Sequence, residues 1–140
     1  MRFVDLNVLI RFFVNDPPEQ HRRSVELLRA VENGEESVVL NHIVIFETIW
    51  VLNRTYKVPM GQIRELILAL VNLPSVRVEQ RQVIKRAFDV AIAHNIPFAD
   101  GYNAAFMELH ELQEVYAWDR HFDRVDGIQR IEPDTPDPSL

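Results

Sequence analysis

The sequence predicts an α/β fold in which a parallel sheet carries helices on both faces. Short apolar runs bounded by turn residues alternate with longer amphipathic segments from one end of the chain to the other. Strand–helix alternation of this kind builds parallel pairing through helical crossovers. The 140 residues, 47% hydrophobic and 26% charged, also suffice for one sizeable core. No linker, composition shift or internal repeat divides residues 1–133, so they are expected to form a single domain. The final stretch "EPDTPDPSL" has three prolines in nine residues and no apolar period, so residues 134–140 are expected to be a disordered tail.

The elements follow in order. "RFVD" (2–5) reads as a short buried strand, and "LNVLIRFFVND" places apolar residues at 6, 9, 10 and 13, a helical spacing. "DPP" (16–18) ends that helix, and its prolines suit the first turn of the next. "EQHRRSVELLRAVENG" is amphipathic, with Val25, Leu27, Leu28 and Val31 inward and Gly34 as its stop. "SVVL" is a second strand. A strongly apolar helix, "NHIVIFETIWVLNRTYK", follows with Asn41 as its cap. "PMGQIRELILALVNL" is a fourth helix with apolar residues on more than one face, which suggests an interface as well as a core. "VRVE" is a third strand, "RQVIKRAFDVAIAHN" and "PFADGYNAAFMELHEL" are helices, "EVYAWD" is a fourth strand and "IQRIEP" a fifth.

No apolar run approaches the roughly 18–20 residues of a membrane span, and the N-terminus lacks the zones of a signal peptide, so a cytoplasmic protein is expected. Without Cys there are no disulfides or thiolate metal sites. A net charge of −6 argues against a broad nucleic-acid-binding surface, leaves room for a local basic rim, and suits a basic partner segment.

Four acids stand in unusual places. Asp5 and Asp119 close the first and fourth strands, and ligands of open parallel sheets gather outside such ends. Asp100 lies in the first turn of a helix, where the dipole favours an anion, although the sheet argument alone does not bring it to the same edge. Glu47 is the only charge in "HIVIFETIWVL", with Ile43, Val44, Trp50 and Val51 as its helical neighbours, and calls for a partner, a cation or a proton. Singly each acid has a structural reading: Asp5 as a helix cap, Asp100 as a helix-start acid, Asp119 as a turn residue or a partner of Arg120, Glu47 paired with a distant Arg. Together, with no Lys or Arg on the same helix faces, they suggest an all-oxygen site for Mg²⁺ or Mn²⁺, whose chemistry suits phosphodiesters. Asn7, two residues beyond Asp5, is placed to hydrogen-bond it or a bound water.

These motifs resemble the PIN-domain family and, within it, the VapC-type toxins of toxin–antitoxin pairs. "VDLNVLIR" (with Asp5 and Asn7), "FETIWVL" (with Glu47), "FADGYNAAF" (with Asp100) and "YAWDRHFDRV" (with Asp119 and Asp123) match its four motifs in order. The resemblance implies a three-layer PIN-like fold with a central parallel sheet of four to five strands. Strand one would be central, and Asp5, Asp119 and the start of the Asp100 helix would lie together. It implies a Mg²⁺- or Mn²⁺-dependent endoribonuclease acting on RNA, a homodimer, and silencing by a VapB-type antitoxin. By role, Asp5 and Asp100 would hold the first metal, with Asp119 as a direct or water-mediated ligand. Glu47 would orient or deprotonate the attacking water, or help a second ion. Asn7 and Asp123 would support the ligands, and Asp123 equally suits a helix-start acid.

The sequence departs from the family in two places. Leu6 stands where Thr or Ser often follows the first acid, and Ala117 where one often precedes the fourth by two residues. Both hydroxyls would be near the metal and orient its waters. Arg11, Arg54, Lys57 and Arg120 are candidate contacts for RNA phosphates, or solvated charges that keep the helices soluble. His42, His94, His110 and His121 form no pair spaced for zinc, so oxygen-only coordination is preferred. Phe12, Phe13, Phe46, Trp50 and Tyr56 read as core or dimer contacts. Two other readings are a catalytically weak PIN fold serving only in binding, and a phosphohydrolase of the haloacid dehalogenase type. The latter chemistry wants a second Asp where Asn7 stands.

Overall fold

Among the described residues, five strands form where the apolar runs predict them, and every pairing is parallel. They fall into a sheet of three and a sheet of two rather than one of four to five, and the first strand ends the order of its sheet instead of lying at the centre. The computed structural model describes residues 1–133 and Ser139. The expected disordered tail, residues 134–140, lies outside the described residues apart from Ser139. Two compact units emerge, Met1–Arg81 and Gln82 onward.

The first unit runs β1 (Arg2–Phe3), α1 (Leu6–Phe13), α2 (Pro18–Glu32), β2 (Val38–Val39), α3 (His42–Arg54), α4 (Met60–Val71) and β3 (Val76–Arg77). Its sheet has the order β1-β2-β3, with Arg2 opposite Val38 and Val38 opposite Val76. Two helices cross between each pair of successive strands, as parallel neighbours require. The strands are shorter than their apolar runs because the helices begin at once. Asp5 is already the N-cap of α1. Val4 and Leu40 still donate ladder hydrogen bonds, to Val39 O at 3.1 Å and Arg77 O at 2.9 Å.

Sequence signals set the helix limits here. Pro18 occupies the first turn of α2, and Gly34 (φ +78°) stops the chain beyond its end. Leu28 and Val31 are buried as expected; Val25 and Leu27 are half-buried, and Ser24 takes a buried place between them. Asn41 caps α3, its Oδ1 accepting from Val44 N–H at 2.9 Å. Asn41→Ala should therefore cost about 1 kcal/mol, read as a fall of roughly 2–6 °C in Tm; an unchanged melting curve would show that the cap contributes nothing. α4 buries Ile63, Ile67, Leu70 and Val71. Its half-buried Leu66 joins Phe12, Phe13, Val25, Ala69 and Leu73 around an open apolar groove of about 420 Å³.

The second unit contains α5 (Arg81–His94, which starts at the boundary), α6 (Phe98–Leu109), β4 (Glu114–Tyr116), a 3₁₀ turn (Arg120–Arg124) and β5 (Gln129–Ile131). β4 and β5 pair in parallel, Val115 opposite Arg130. Val90, Ala91, Ile96, Ala104 and Val125 form a buried cluster on which Ile128 packs, and Phe88 meets Phe98 at 4.7 Å between ring centres. No helix among the described residues is long and apolar enough to cross a membrane.

Candidate metal centre

The site in the second unit begins with a missing side chain. A Cβ on Gly101 would stand 2.5 Å from the Ala87 carbonyl oxygen and 2.9 Å from the Ala91 Cβ. Only glycine allows α6 this close to α5. Asp100, one residue earlier in the first turn of α6, is thereby fixed beside that contact with 17% of its side chain exposed.

Asp119 arrives by a different local rule. It is the N-cap of the 3₁₀ turn, and its Oδ1 accepts from His121 N–H at 2.9 Å. Asp commonly bonds the backbone two residues on. That bond draws the His121 ring back toward the carboxylate. Nδ1 lies 2.9 Å from Asp119 Oδ1 and 2.8 Å from Asp100 Oδ2. Asp100, Asp119 and His121 thus present one ligand atom each within 4.8 Å of one another. This is the single such group among the described residues. Two carboxylate oxygens and one imidazole nitrogen are a fitting donor set for a divalent ion.

His121 is the member that sequence reasoning missed. Its spacing from the other histidines suits no zinc pair, and oxygen-only coordination was therefore expected. The usable signal was Asp-x-His at a turn, where the capping bond itself brings the third residue's ring to the first residue's carboxylate.

Asp123 is engaged elsewhere. Arg130, its side chain only 11% exposed, donates Nε–H to Asp123 Oδ1 at 3.0 Å. Its Nη1 donates to the Ala117 carbonyl and to Glu132 Oε1, both at 3.1 Å. The Asp123 bond, then the Glu132 bond, raise the guanidinium's pKa above its already high ordinary value. Asp123 therefore ties the 3₁₀ turn to β5. Arg120 is exposed at the start of the same turn.

In the first unit, Asp5 is exposed at the N-cap of α1, with extended backbone (φ −84°, ψ 161°) and no capping hydrogen bond from its side chain. The cost of burying a lone carboxylate does not arise. Asn7 faces an open cavity of about 470 Å³, which it lines with Arg11, Gln20 and Arg23. Arg11 donates Nε–H to Gln20 Oε1 at 3.0 Å. The structure thus brings Asn7 and Arg11 together and adds Arg23, which the sequence did not single out.

Glu47 corrects an inference from its neighbours. It is exposed, and so is the α3 face around it: Ile43, Phe46 and Trp50 are 67%, 36% and 51% accessible. The helix buries Val44, Ile45, Thr48, Ile49 and Leu52 instead. Glu47 needs no buried partner, and no hydrogen bond or ion pair engages it among the described residues. Arg54 lies over the Trp50 ring at 5.7 Å, while Lys57 is exposed in a left-handed turn (φ 57°). Trp50, Phe46 and Tyr56 are surface residues rather than core.

An α/β chain with parallel strands and clustered acids at the cap of a 3₁₀ turn beyond a strand and at a helix start belongs to a recognisable class. The PIN-domain family model matches residues 2–128, through both units, and the chain belongs to that family. Among solved structures it is similar to VapC20 of Mycobacterium tuberculosis, a toxin that cleaves the sarcin–ricin loop. The two are 22% identical, the match covers 95% of this chain and all (100%) of that one, and the TM-score is 0.42. No curated protein matches the chain.

Proposed function

We propose that this PIN-domain protein is a Mg²⁺- or Mn²⁺-dependent endoribonuclease, the toxin of a VapBC-type pair. The observation that carries the reading is the convergence of Asp100 and Asp119, two of the four motif acids, into one group with metal-ligand spacing. Asp100 and Asp119 would hold the ion, with Asp5 assigned to it by its motif. The ion when bound supplies charge to the attacked phosphodiester and to its leaving oxygen, and activates water.

The chain's own residues do the rest. Glu47, exposed and without an ion-pair partner among the described residues, takes a proton from the attacking water. Asn7, Arg11 and Arg23 line a cavity where the cations neutralise backbone phosphates of RNA and the amide donates to them. The exposed apolar stripe of α3 and the groove walled by Phe12, Phe13 and Leu66 support protein partners, a second copy and a VapB-type antitoxin. Residues 1–133 act as one PIN domain in this reading.

The test is direct. Purified protein should cleave RNA with Mg²⁺ or Mn²⁺, EDTA should stop it, and restoring the ion should restore it. Cleavage that persists in EDTA would sink metal dependence. Folded, metal-loaded protein that leaves RNA intact would favour the binding-only reading.

A further inference from the structure

We infer that His121 is a nitrogen ligand of the ion held by Asp100 and Asp119, and that it biases the site toward Mn²⁺ over Mg²⁺. This rests on the metal-site part of the proposed function and departs from an oxygen-only donor set.

Three observations on His121 carry it. First, its Nδ1 stands 2.8 Å from Asp100 Oδ2 and 2.9 Å from Asp119 Oδ1 at once. A hydrogen bond needs one acceptor; a nitrogen nearly equidistant from two carboxylates stands at the rim of a cation's place between them. Second, the backbone that carries the ring is anchored. The His121 backbone N–H is bound by Asp119 at 2.9 Å, and the next residue, Phe122, is buried at 5% exposure. Third, a third of the side chain, 33%, remains accessible, so an ion can enter without unfolding the turn. The ligand atoms all lie within 4.8 Å of one another. Adjacent ligands around an ion with ~2.1 Å bonds are about 3 Å apart, close to the 2.8 and 2.9 Å that separate Nδ1 from the two carboxylate oxygens.

The chemistry then sets the preference. Mg²⁺ favours oxygen donors and gives up water reluctantly. Imidazole suits first-row transition ions, and Mn²⁺ accepts both carboxylate and nitrogen. Exchanging His121 therefore weakens Mn²⁺ far more than Mg²⁺. The rival role, in which Nδ1–H only orients Asp100, acts on the carboxylate and weakens both ions alike.

The experiment uses the full chain and the metal ions alone, without RNA. Spin-echo spectra of the Mn²⁺-loaded protein should show modulation from a coordinated nitrogen, absent in His121→Ala. In titrations, His121→Ala should raise the Mn²⁺ dissociation constant by about tenfold or more, and that of Mg²⁺ by less than about threefold. Equal weakening of the two ions, or an Mn²⁺ spectrum without nitrogen, overturns the inference. Should His121→Ala fail to fold, the wild-type spectrum decides alone. Asp100→Asn separates the levels. If it leaves Mn²⁺ affinity unchanged, the site itself is misplaced and both readings fall; if it abolishes binding while the wild-type spectrum lacks nitrogen, only the role of His121 falls.

Discussion

Asp100→Asn should lower RNA cleavage by roughly 10²-fold or more, the scale of removing one well-placed electrostatic group from an active site. It should leave the unfolding midpoint nearly unchanged. The substitution is nearly isosteric. The amide oxygen can still accept from His121 Nδ1, so the 2.8 Å contact need not be lost. What disappears is the negative charge that would hold the proposed divalent ion, on a side chain only 17% exposed. Single-turnover cleavage with saturating Mn²⁺, alongside a thermal melt, separates the two effects. A variant that cuts within about threefold of the parent would remove Asp100 from the catalytic set. The same assay on Asp5→Asn and Glu47→Gln asks whether the motif acids of the first unit serve the same reaction.

Gly101→Val should give the largest loss of stability of any substitution named here. Replacing a helical glycine by alanine ordinarily stabilises by up to about 1 kcal/mol. At Gly101 the sign reverses. Even the first added carbon meets the Ala87 backbone oxygen at 2.5 Å, and a carbonyl in mid-helix has no rotamer by which to yield. Gly101→Ala should therefore destabilise by about 1–3 kcal/mol, the usual scale of overpacking, and Gly101→Val by more. Urea unfolding midpoints at constant slope would measure both. A stabilised Gly101→Ala would mean that α5 and α6 do not touch there.

Much of the local architecture was legible because it depends on chemistry between near neighbours. Asn41 as a cap, Gly34 as a stop and Pro18 in a first turn each follow from the bonds or angles one residue type permits. Strand length was not legible in the same way. "RFVD" reads as four residues of strand, yet β1 keeps two, because Asp5 already starts a helix. Apolar pattern marks a buried segment but not where its ladder ends.

The candidate site divides along similar lines. Asp100 and Asp119 were visible as acids in special positions, and the structure joins them. Glu47 was read as buried because its helical neighbours are apolar. α3 carries apolar residues on opposite faces, and periodicity cannot say which face meets the core; Ile45 and Ile49 do, Ile43 and Trp50 do not. His121 escaped because its placement depends on a bond between a side chain and the backbone two residues on, which no count of histidines reveals.

The contact beneath Gly101 reaches further than the glycine. Ala91 and Ala87 supply its other half from α5, ten and fourteen positions earlier in the chain. Lengthening Ala91 to Leu would push against Gly101 and so against the seat of Asp100, one residue earlier on the same helix. If the chain is the toxin proposed above, random mutagenesis for loss of toxicity should therefore recover lesions in α5 that look like silent packing changes, yet act by tilting the carboxylate their neighbour helix carries.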